Sequence, residues 1–219
     1  MSNIFCSSIG KKLIMSLSGL FLVVFLLLHV SVNLTALFSQ DAYNDACKFM
    51  DTNIFIQVMV PVLALGFAIH ILYSLIITLK NQKARPVKYS VSNKTEASSW
   101  ASKNMFILGL IVFCFLALHL THFWAKMQLQ HFIGKHSEPD PYSLLVKLFS
   151  QWYYCVIYVV WIVALYFHIS HGFWSAFQTL GVNNSKWIPR LQLIAKIYAI
   201  IVALAFISIP IYFYLGLNQ

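Results

Sequence analysis

Two histidine pairs stand in the most apolar parts of the chain. Residues 117–124 read ALHLTHFW, with His119 and His122 three apart, and residues 167–172 read FHISHG, with His168 and His171 at the same spacing. His29 and His70 lie in two further apolar runs, so six of the eight histidines, all but His131 and His136, sit among hydrocarbon side chains. Imidazole ligates metals as a neutral base, or relays protons near neutral pH. Inside a bilayer it is costly enough that function is its default explanation, although an interhelical hydrogen bond can satisfy any single one. Four separate runs carry at least one, and none of those runs holds an Asp or Glu to partner them.

The elements that position these side chains follow from composition. The chain has 219 residues, 60% hydrophobic and only 10% charged, with mean hydropathy +0.75; soluble domains carry about a quarter charged residues. Apolar runs occur at about 13–38, 54–79, 104–125, 152–178 and 191–215, each long enough for the roughly 20 residues that cross a hydrocarbon core. The expected fold is all-α, an integral membrane bundle of five helices forming a single domain over residues 1–219. The first run follows Lys11 and Lys12 as a signal peptide would, but signal cores last only about 7–15 residues, so it is read as a retained span. Cys6, Cys47, Cys114 and Cys155 are scattered and form no C-x-x-C or C-x-x-C-H pattern, which excludes covalent haem attachment of that kind.

Orientation follows from the basic residues, which are retained on the cytoplasmic side of spans. Eleven of the fifteen Lys and Arg fall on the side of the N-terminus, and four (Lys48, Lys126, Lys135, Lys147) on the other. The N-terminus is therefore expected inside and the C-terminus outside. The net charge of +9 then reports topology, not affinity for nucleic acid. The inner connection at about 80–103 is basic and polar, with Pro86 and a terminal Trp100; it suits either a solvated loop or the docking of a soluble partner. The outer connection at about 127–151 contains Gly134, Pro139 and Pro141 and reads as a structured cap, in which His131 and His136 are solvated.

Depth sorts the histidines. His29 and His119 lie about 16 and 15 residues after their helices enter from inside, roughly 24 Å from the inner surface at 1.5 Å per residue. His70 and His168 each lie about 16 residues into helices that enter from outside, so both belong to the inner half. Two levels, each with one histidine from each of two helices, meet the requirement of two stacked bis-histidine haems, in which each iron takes one axial ligand on either face. The pairs would be His29 with His119 for an outer haem and His70 with His168 for an inner one. Phe25, Phe67, Phe115, Phe167 and Trp174 would wall the macrocycles, although ordinary helix packing explains the same aromatics.

Residues three apart share a helix face at different heights, so only one member of each opening pair can ligate a given iron. Residues 19–29 (GLFLVVFLLLH) and 109–119 (GLIVFCFLALH) agree at Gly, Leu, Phe, Leu, Leu and His in register. That echo aligns His119 with His29 and marks helices one and three as halves of a duplication. Gly172, one turn after His168, would admit a macrocycle or a neighbouring backbone on the ligand's face. His171 is a candidate for a haem propionate; His122 could serve its haem similarly or face a quinone. Gly19 and Gly109 lie about 15 Å inward of His29 and His119, level with the inner haem, where a missing side chain makes room for the macrocycle or for close helix packing.

These residues resemble a known family. The stretch SSIGKKLIMSLSGLFLVVFLLLHVSVNL, with Ser8, Lys12, Ser18, Gly19, His29 and Asn33, one histidine in each of the first four helices, and FHISHGFWSAFQTLG at 167–181 are similar to the cytochrome b membrane-anchor subunit of succinate dehydrogenase and fumarate reductase, of the five-helix, single-subunit, di-haem type. The resemblance covers essentially the whole chain. It implies two haem b groups, with His168 as ligand ahead of the glycine four residues later, and a quinone substrate, usually menaquinone. It also implies a flavoprotein subunit with the dicarboxylate site and an iron–sulfur subunit, both on the cytoplasmic side of a bacterial-type inner membrane. In certain fumarate reductases a carboxylate near the outer start of helix two lies at the quinol site; Asp51 is the nearest match, with Asp45 and Asp41 as alternatives and a loop acid or helix cap as the plain explanation. Some members carry a Glu two residues before the fourth-helix ligand; Tyr166 stands here, against a Glu-based proton path at that position.

On this reading the chain is not itself the catalyst of the dicarboxylate step. It is a conduit within a succinate dehydrogenase or fumarate reductase complex, in contact with membrane lipid and compatible with a dimer of the whole complex. A cytochrome b anchor of another quinone-linked oxidoreductase would share the haems and differ in its soluble partners. A polytopic transporter with a histidine proton relay would hold no haem.

Overall fold

The computed structural model describes residues 7–84, 100–134 and 140–217. The centre of the inner connection with Pro86, the outer residues 135–139 with His136 and Lys135, and Cys6 lie outside the described residues, as do the side chains of His131 and Phe132. The described chain is all-helical: α1 (Ser8–Leu34, continued by a 3-10 turn Thr35–Leu37), α2 (Gln40–Thr52), α3 (Ile54–Lys83), α4 (Trp100–Lys103), α5 (Met105–His119, continued by a π turn Leu120–Trp124), α6 (Gln128–Phe132), α7 (Pro141–Phe149), α8 (Trp152–Thr179) and α9 (Trp187–Tyr214).

Side-chain oxygens mark where several of these helices begin, because the first backbone N–H groups of a helix lack partners within it. Ser7 accepts from the Gly10 N–H at 2.9 Å, Ser39 from Ala42 at 3.1 Å and Asn53 from Phe55 at 3.0 Å. Asp140 accepts from Ser143 at 3.0 Å ahead of Pro141, whose missing N–H costs nothing in a first turn.

Helices α1, α3, α5, α8 and α9 are long and apolar enough to cross a membrane; counting the turns that extend α1 and α5, they run to 20–30 residues. Their outward faces stay apolar: Leu28, Leu65 and Leu204 are 61, 59 and 62% exposed, an arrangement that lipid accepts and water does not. Within the bundle α8 is central, packing on α9, α1 and α5, while α3 lies along α1 and contains no buried residue. Spans α1 and α5, and likewise α3 and α8, make no extended backbone contact with each other.

Two features differ from the sequence reading. Helix α9 starts at Trp187 and not near residue 191, which sets Lys196 nine residues inside the helix. Residues 40–52, between the first two apolar runs, form the polar-faced helix α2. The outer connection, read as a structured cap, carries α6 and α7. Helices α2 and α7 close the end of the bundle over Tyr43, Cys47, Tyr142, Leu145, Phe149 and Phe213. Burial there pushes the Cys47 thiol up to about 11 and raises the Tyr43 phenol as well, so both stay protonated and neutral at ordinary pH.

Asp140 ties this cap together. Besides capping α7 it accepts from the Ser143 hydroxyl at 2.7 Å, from Gln40 Nε2 at 3.2 Å and from Asn44 Nδ2, while Asn44 Oδ1 accepts from the Tyr142 N–H at 3.1 Å. Asp140→Ala removes a helix cap and a charge-assisted cross-link, worth together about 1–3 kcal/mol. Amide hydrogen exchange should then speed up in α2 and α7 with α8 unchanged; unaltered exchange in α2 would contradict the cross-link.

Candidate functional site

The site consists of two facing histidine pairs at two heights. His29 of α1 and His119 of α5 have ring centroids 5.8 Å apart with planes at 88°. His70 of α3 and His168 of α8 are 6.3 Å apart at 77°. Metal–imidazole bonds are about 2 Å long, so two rings on opposite sides of one metal ion have centroids about 6 Å apart. Each pair joins two helices whose backbones make no extended contact.

The outer pair is walled by aromatics. Phe25 stacks on His29 at 5.2 Å and 20° and meets Phe67 edge-on at 6.0 Å. Phe115 lies 6.5 Å from His119, and Trp161 lies parallel to that ring at 6.5 Å and 11°. Phe206 of α9 approaches His29 at 5.6 Å. Asn33 Nδ2 donates to the His29 carbonyl at 2.8 Å and lies 3.5 Å from Nδ1, too far to fix the ring's tautomer.

Glycines back the inner pair. A Cβ added to Gly19 would stand 3.1 Å from His70 Cε1 and 3.4 Å from its Nδ1, and one added to Gly109 would stand 3.6 Å from His168 Cε1. The two glycines of the repeated segment thus occupy equivalent places, each against a histidine of the following span. Ser18 donates to the Met15 carbonyl at 3.0 Å, and its oxygen lies 3.5 Å from His70 Nδ1. Gly172, one turn from His168, borders open space: a Cβ there meets nothing within 4 Å. The Nδ1 atoms of His119, His168 and His171 and the Trp161 Nε1 are buried without a hydrogen-bond partner, which is unfavourable in an apolar bundle unless a ligand answers them.

His122 and His119 both lie against Tyr158 of α8, with ring centroids 6.0 and 6.3 Å away. The i to i+5 bond from the Ala125 N–H to the Leu120 carbonyl, 2.8 Å, widens the turn, and such π turns gather at functional sites. The His122 Nδ1 is hydrogen-bonded to the Tyr158 hydroxyl at 3.1 Å, and its ring meets Tyr154 edge-on at 4.9 Å. His171 packs edge-on against buried Trp174 at 5.0 Å, and Phe167 against Trp100 at 5.2 Å.

Asp41 and Asp45 are exposed on α2, and Asp51 is half-buried near its C-terminal end. Among the described residues no three of His, Cys, Asp and Glu converge closely enough to hold a metal ion together, so Asp45, Asp51 and His122 do not form one cluster. Sequence reasoning passed over Tyr154, Tyr158 and Trp161. Their i, i+4, i+7 spacing on one face of α8 was the available signal, masked by the uniform hydrophobicity of the segment.

The glycine contacts differ enough to test. In a helix interior Ala is favoured over Gly by roughly 1 kcal/mol, whereas overpacking costs about 1–3 kcal/mol. Gly109→Ala, whose methyl meets His168 at ordinary contact distance, should hold or raise the thermal unfolding midpoint in a fixed detergent. Gly19→Ala should lower it by pressing on His70; the opposite ranking would contradict this packing.

No protein-family model matches the chain, and no solved structure matches it. Over 193 residues it is 24% identical to the succinate dehydrogenase cytochrome b558 subunit of Bacillus subtilis (strain 168), a stretch taking in 87% of this chain and 88% of that subunit. A chain of five long apolar helices, carrying two facing histidine pairs, is thus similar along nearly its whole length to a succinate dehydrogenase cytochrome b558 subunit.

Proposed function

We propose that the chain is the di-haem cytochrome b anchor of a succinate:quinone oxidoreductase, either a succinate dehydrogenase or a fumarate reductase. It carries electrons between an iron–sulfur subunit at the cytoplasmic face and menaquinone in a bacterial-type inner membrane. The observation that carries this reading is the geometry of the pairs: His29 opposite His119 and His70 opposite His168, at about 6 Å, each joining helices without extended backbone contact. The similarity to a cytochrome b558 subunit supports the same assignment independently.

When bound, each haem supplies a one-electron iron couple, and the protein sets ligation, burial and position. His29 and His119 would hold the outer haem, His70 and His168 the inner one. Phe25, Phe115 and Trp161 wall the outer pair off from water, and such an apolar shell limits solvent access to a bound group. Gly19 lets the His70 ring seat against α1, Gly109 stands at ordinary contact distance from His168, and the open space beside Gly172 leaves room one turn from His168. Ser18, whose hydroxyl proton is given to the Met15 carbonyl, stands with its oxygen 3.5 Å from His70 Nδ1. The unpartnered Nδ1 of His171 and Nε1 of Trp161 are suited to haem propionates. His122, exposed enough at the outer end to meet a lipid-soluble substrate and hydrogen-bonded to Tyr158, is the leading outer quinone contact, with Asp51 and Asp45 as further candidates.

The flavoprotein and iron–sulfur subunits would dock on the basic inner face, where Lys103, Lys186 and Arg190 stand at helix ends, with the N-terminus on that side and the C-terminus outside. The dicarboxylate chemistry then belongs to those partners. Lipid surrounds the spans, and a dimer of the whole complex is compatible with this placement.

The test is haem stoichiometry in single variants of the purified protein. His29→Ala, His70→Ala, His119→Ala and His168→Ala should each lower pyridine haemochrome from two haems per chain to about one, and His122→Ala and His171→Ala should retain both with low-spin spectra. Full haem content in any of the first four would remove that residue from the ligand set. Loss in either of the last two would mean that the wrong member of a pair was chosen.

A further inference from the structure

The fifth span carries no histidine, yet it grips the helix that carries His29. Helix α9 packs on α8 and α1, and the Tyr198 hydroxyl donates to the Val23 carbonyl of α1 at 2.5 Å. Val23 stands outward of Gly19 and inward of His29, roughly 6 and 9 Å along the helix, so the bond falls between the two histidine levels. We propose that Tyr198 is a positioning residue for the outer haem: its bond fixes the depth and rotation of α1, and with them the approach of His29 to the iron. The inference rests on the reading of the chain as a di-haem anchor.

A buried phenol takes whatever acceptor it reaches, and three features connect this one to His29. The first is how α1 is otherwise held. Its Ser18, Ser31 and Asn33 side chains donate to carbonyls of α1 itself, those of Met15, Leu27 and His29, and these bonds set nothing about its place among other helices. In lipid, helices associate through packing and interhelical hydrogen bonds, with no hydrophobic force between them. An apolar contact permits sliding that a directional bond does not.

The second feature is a stripe on α9. Tyr198, Val202 and Phe206 recur every four residues on one side of the helix; Val202 is almost wholly buried, and Phe206 reaches the His29 ring at 5.6 Å and 45°. Helix α1 is thus met at the Val23 carbonyl and again at the ligand ring. The third is the frame behind the hydroxyl. Phe173 of α8 meets the Tyr198 ring edge-on at 5.2 Å, and that ring packs against the cluster of Leu165, Ile169, Ala199 and Val202. The hydroxyl is therefore fixed relative to α8, the helix of His168.

The consequence is confined to one level. The inner ligands sit on α8, which belongs to the frame itself, and on α3. Helix α3 has its own outer anchors, since Gln57 accepts from Gln128 at 2.8 Å and donates to the Met50 carbonyl at 2.9 Å. Ligand constellations tolerate about 0.5 Å of misplacement, so a slip of α1 by one residue's rise, about 1.5 Å, takes His29 out of bonding reach.

The experiment compares Tyr198→Phe, which removes the hydroxyl and keeps the ring, with the unsubstituted full chain in lipid nanodiscs. Low-temperature paramagnetic resonance of the oxidised protein reads ligation, the outer signal being the one missing from His29→Ala. Transfer of haem to apomyoglobin reads release. The proposal expects the outer low-spin signal to shift in g value and the outer haem to leave about fivefold faster, the weight of one net hydrogen bond. The inner signal and inner release should stay unchanged. Phe213→Leu, which loosens the same helix under the outer cap, should lower the thermal unfolding midpoint and leave both signals in place. A Tyr198→Phe protein that retains only the inner haem is the expected result in stronger form. An unchanged outer signal overturns the proposal, as does a change or loss at both haems, at the inner haem alone, or an equal outer shift in Phe213→Leu. Each of these leaves the cytochrome reading standing, whereas an unsubstituted chain without haem sinks that reading.

Discussion

An imidazole deep in a bilayer must be answered by a partner, and the rest of this structure is arranged around that constraint. Four such rings face each other in two pairs, 5.8 and 6.3 Å apart, with no carboxylate within the spans to neutralise them. Backbone packing does not answer them either: α1 and α5, and α3 and α8, make no extended contact. Flat aromatic rings flank the first pair, and glycines stand against the second.

The rest of the bundle is unevenly packed. Helices α8 and α9 pack tightly, with Ala199 and Val202 almost wholly enclosed against Leu165 and Ile169, and the Tyr198 hydroxyl donates to the Val23 carbonyl of α1 at 2.5 Å. Span α3, by contrast, buries none of its residues. It is held along α1, by the Asn53 cap, and at its outer end by Gln57, which accepts from Gln128 at 2.8 Å and donates to the Met50 carbonyl at 2.9 Å. A group seated between His70 and His168 would tie this peripheral helix to the centre of the bundle, so haem binding and the stability of α3 would be coupled.

The spans were readable in the sequence because twenty-residue apolar runs have few other uses. Counting residues from the membrane surface grouped the histidines into two levels, since a helix rises uniformly; the same counting aligned Gly19 with Gly109. Other features depend on tertiary context and left little trace. The π turn after His119 has no marker in the residue pattern, and neither does the hydrogen bond between His122 and Tyr158, which joins residues 36 apart. Helix α2 was concealed in a short polar connection, although Ser39 and Asp41 are ordinary helix-start residues. Lys196 was counted as an inner-face charge because the start of α9 was drawn four residues late, and only the longer helix sets it deep in the span. Which of the polar groups meet a quinone is not written in residue spacing, because that depends on cavities formed by helices distant in sequence.

The central claim is that each histidine pair holds one haem iron. The most direct test is the dithionite-reduced minus oxidised spectrum of the purified, unsubstituted chain, with haem quantified as the pyridine haemochrome and ligation read from the low-temperature paramagnetic resonance of the oxidised form. The account predicts two b-type haems per polypeptide, both low-spin and six-coordinate. A well-folded preparation without haem, or with one haem and a high-spin iron, would contradict it.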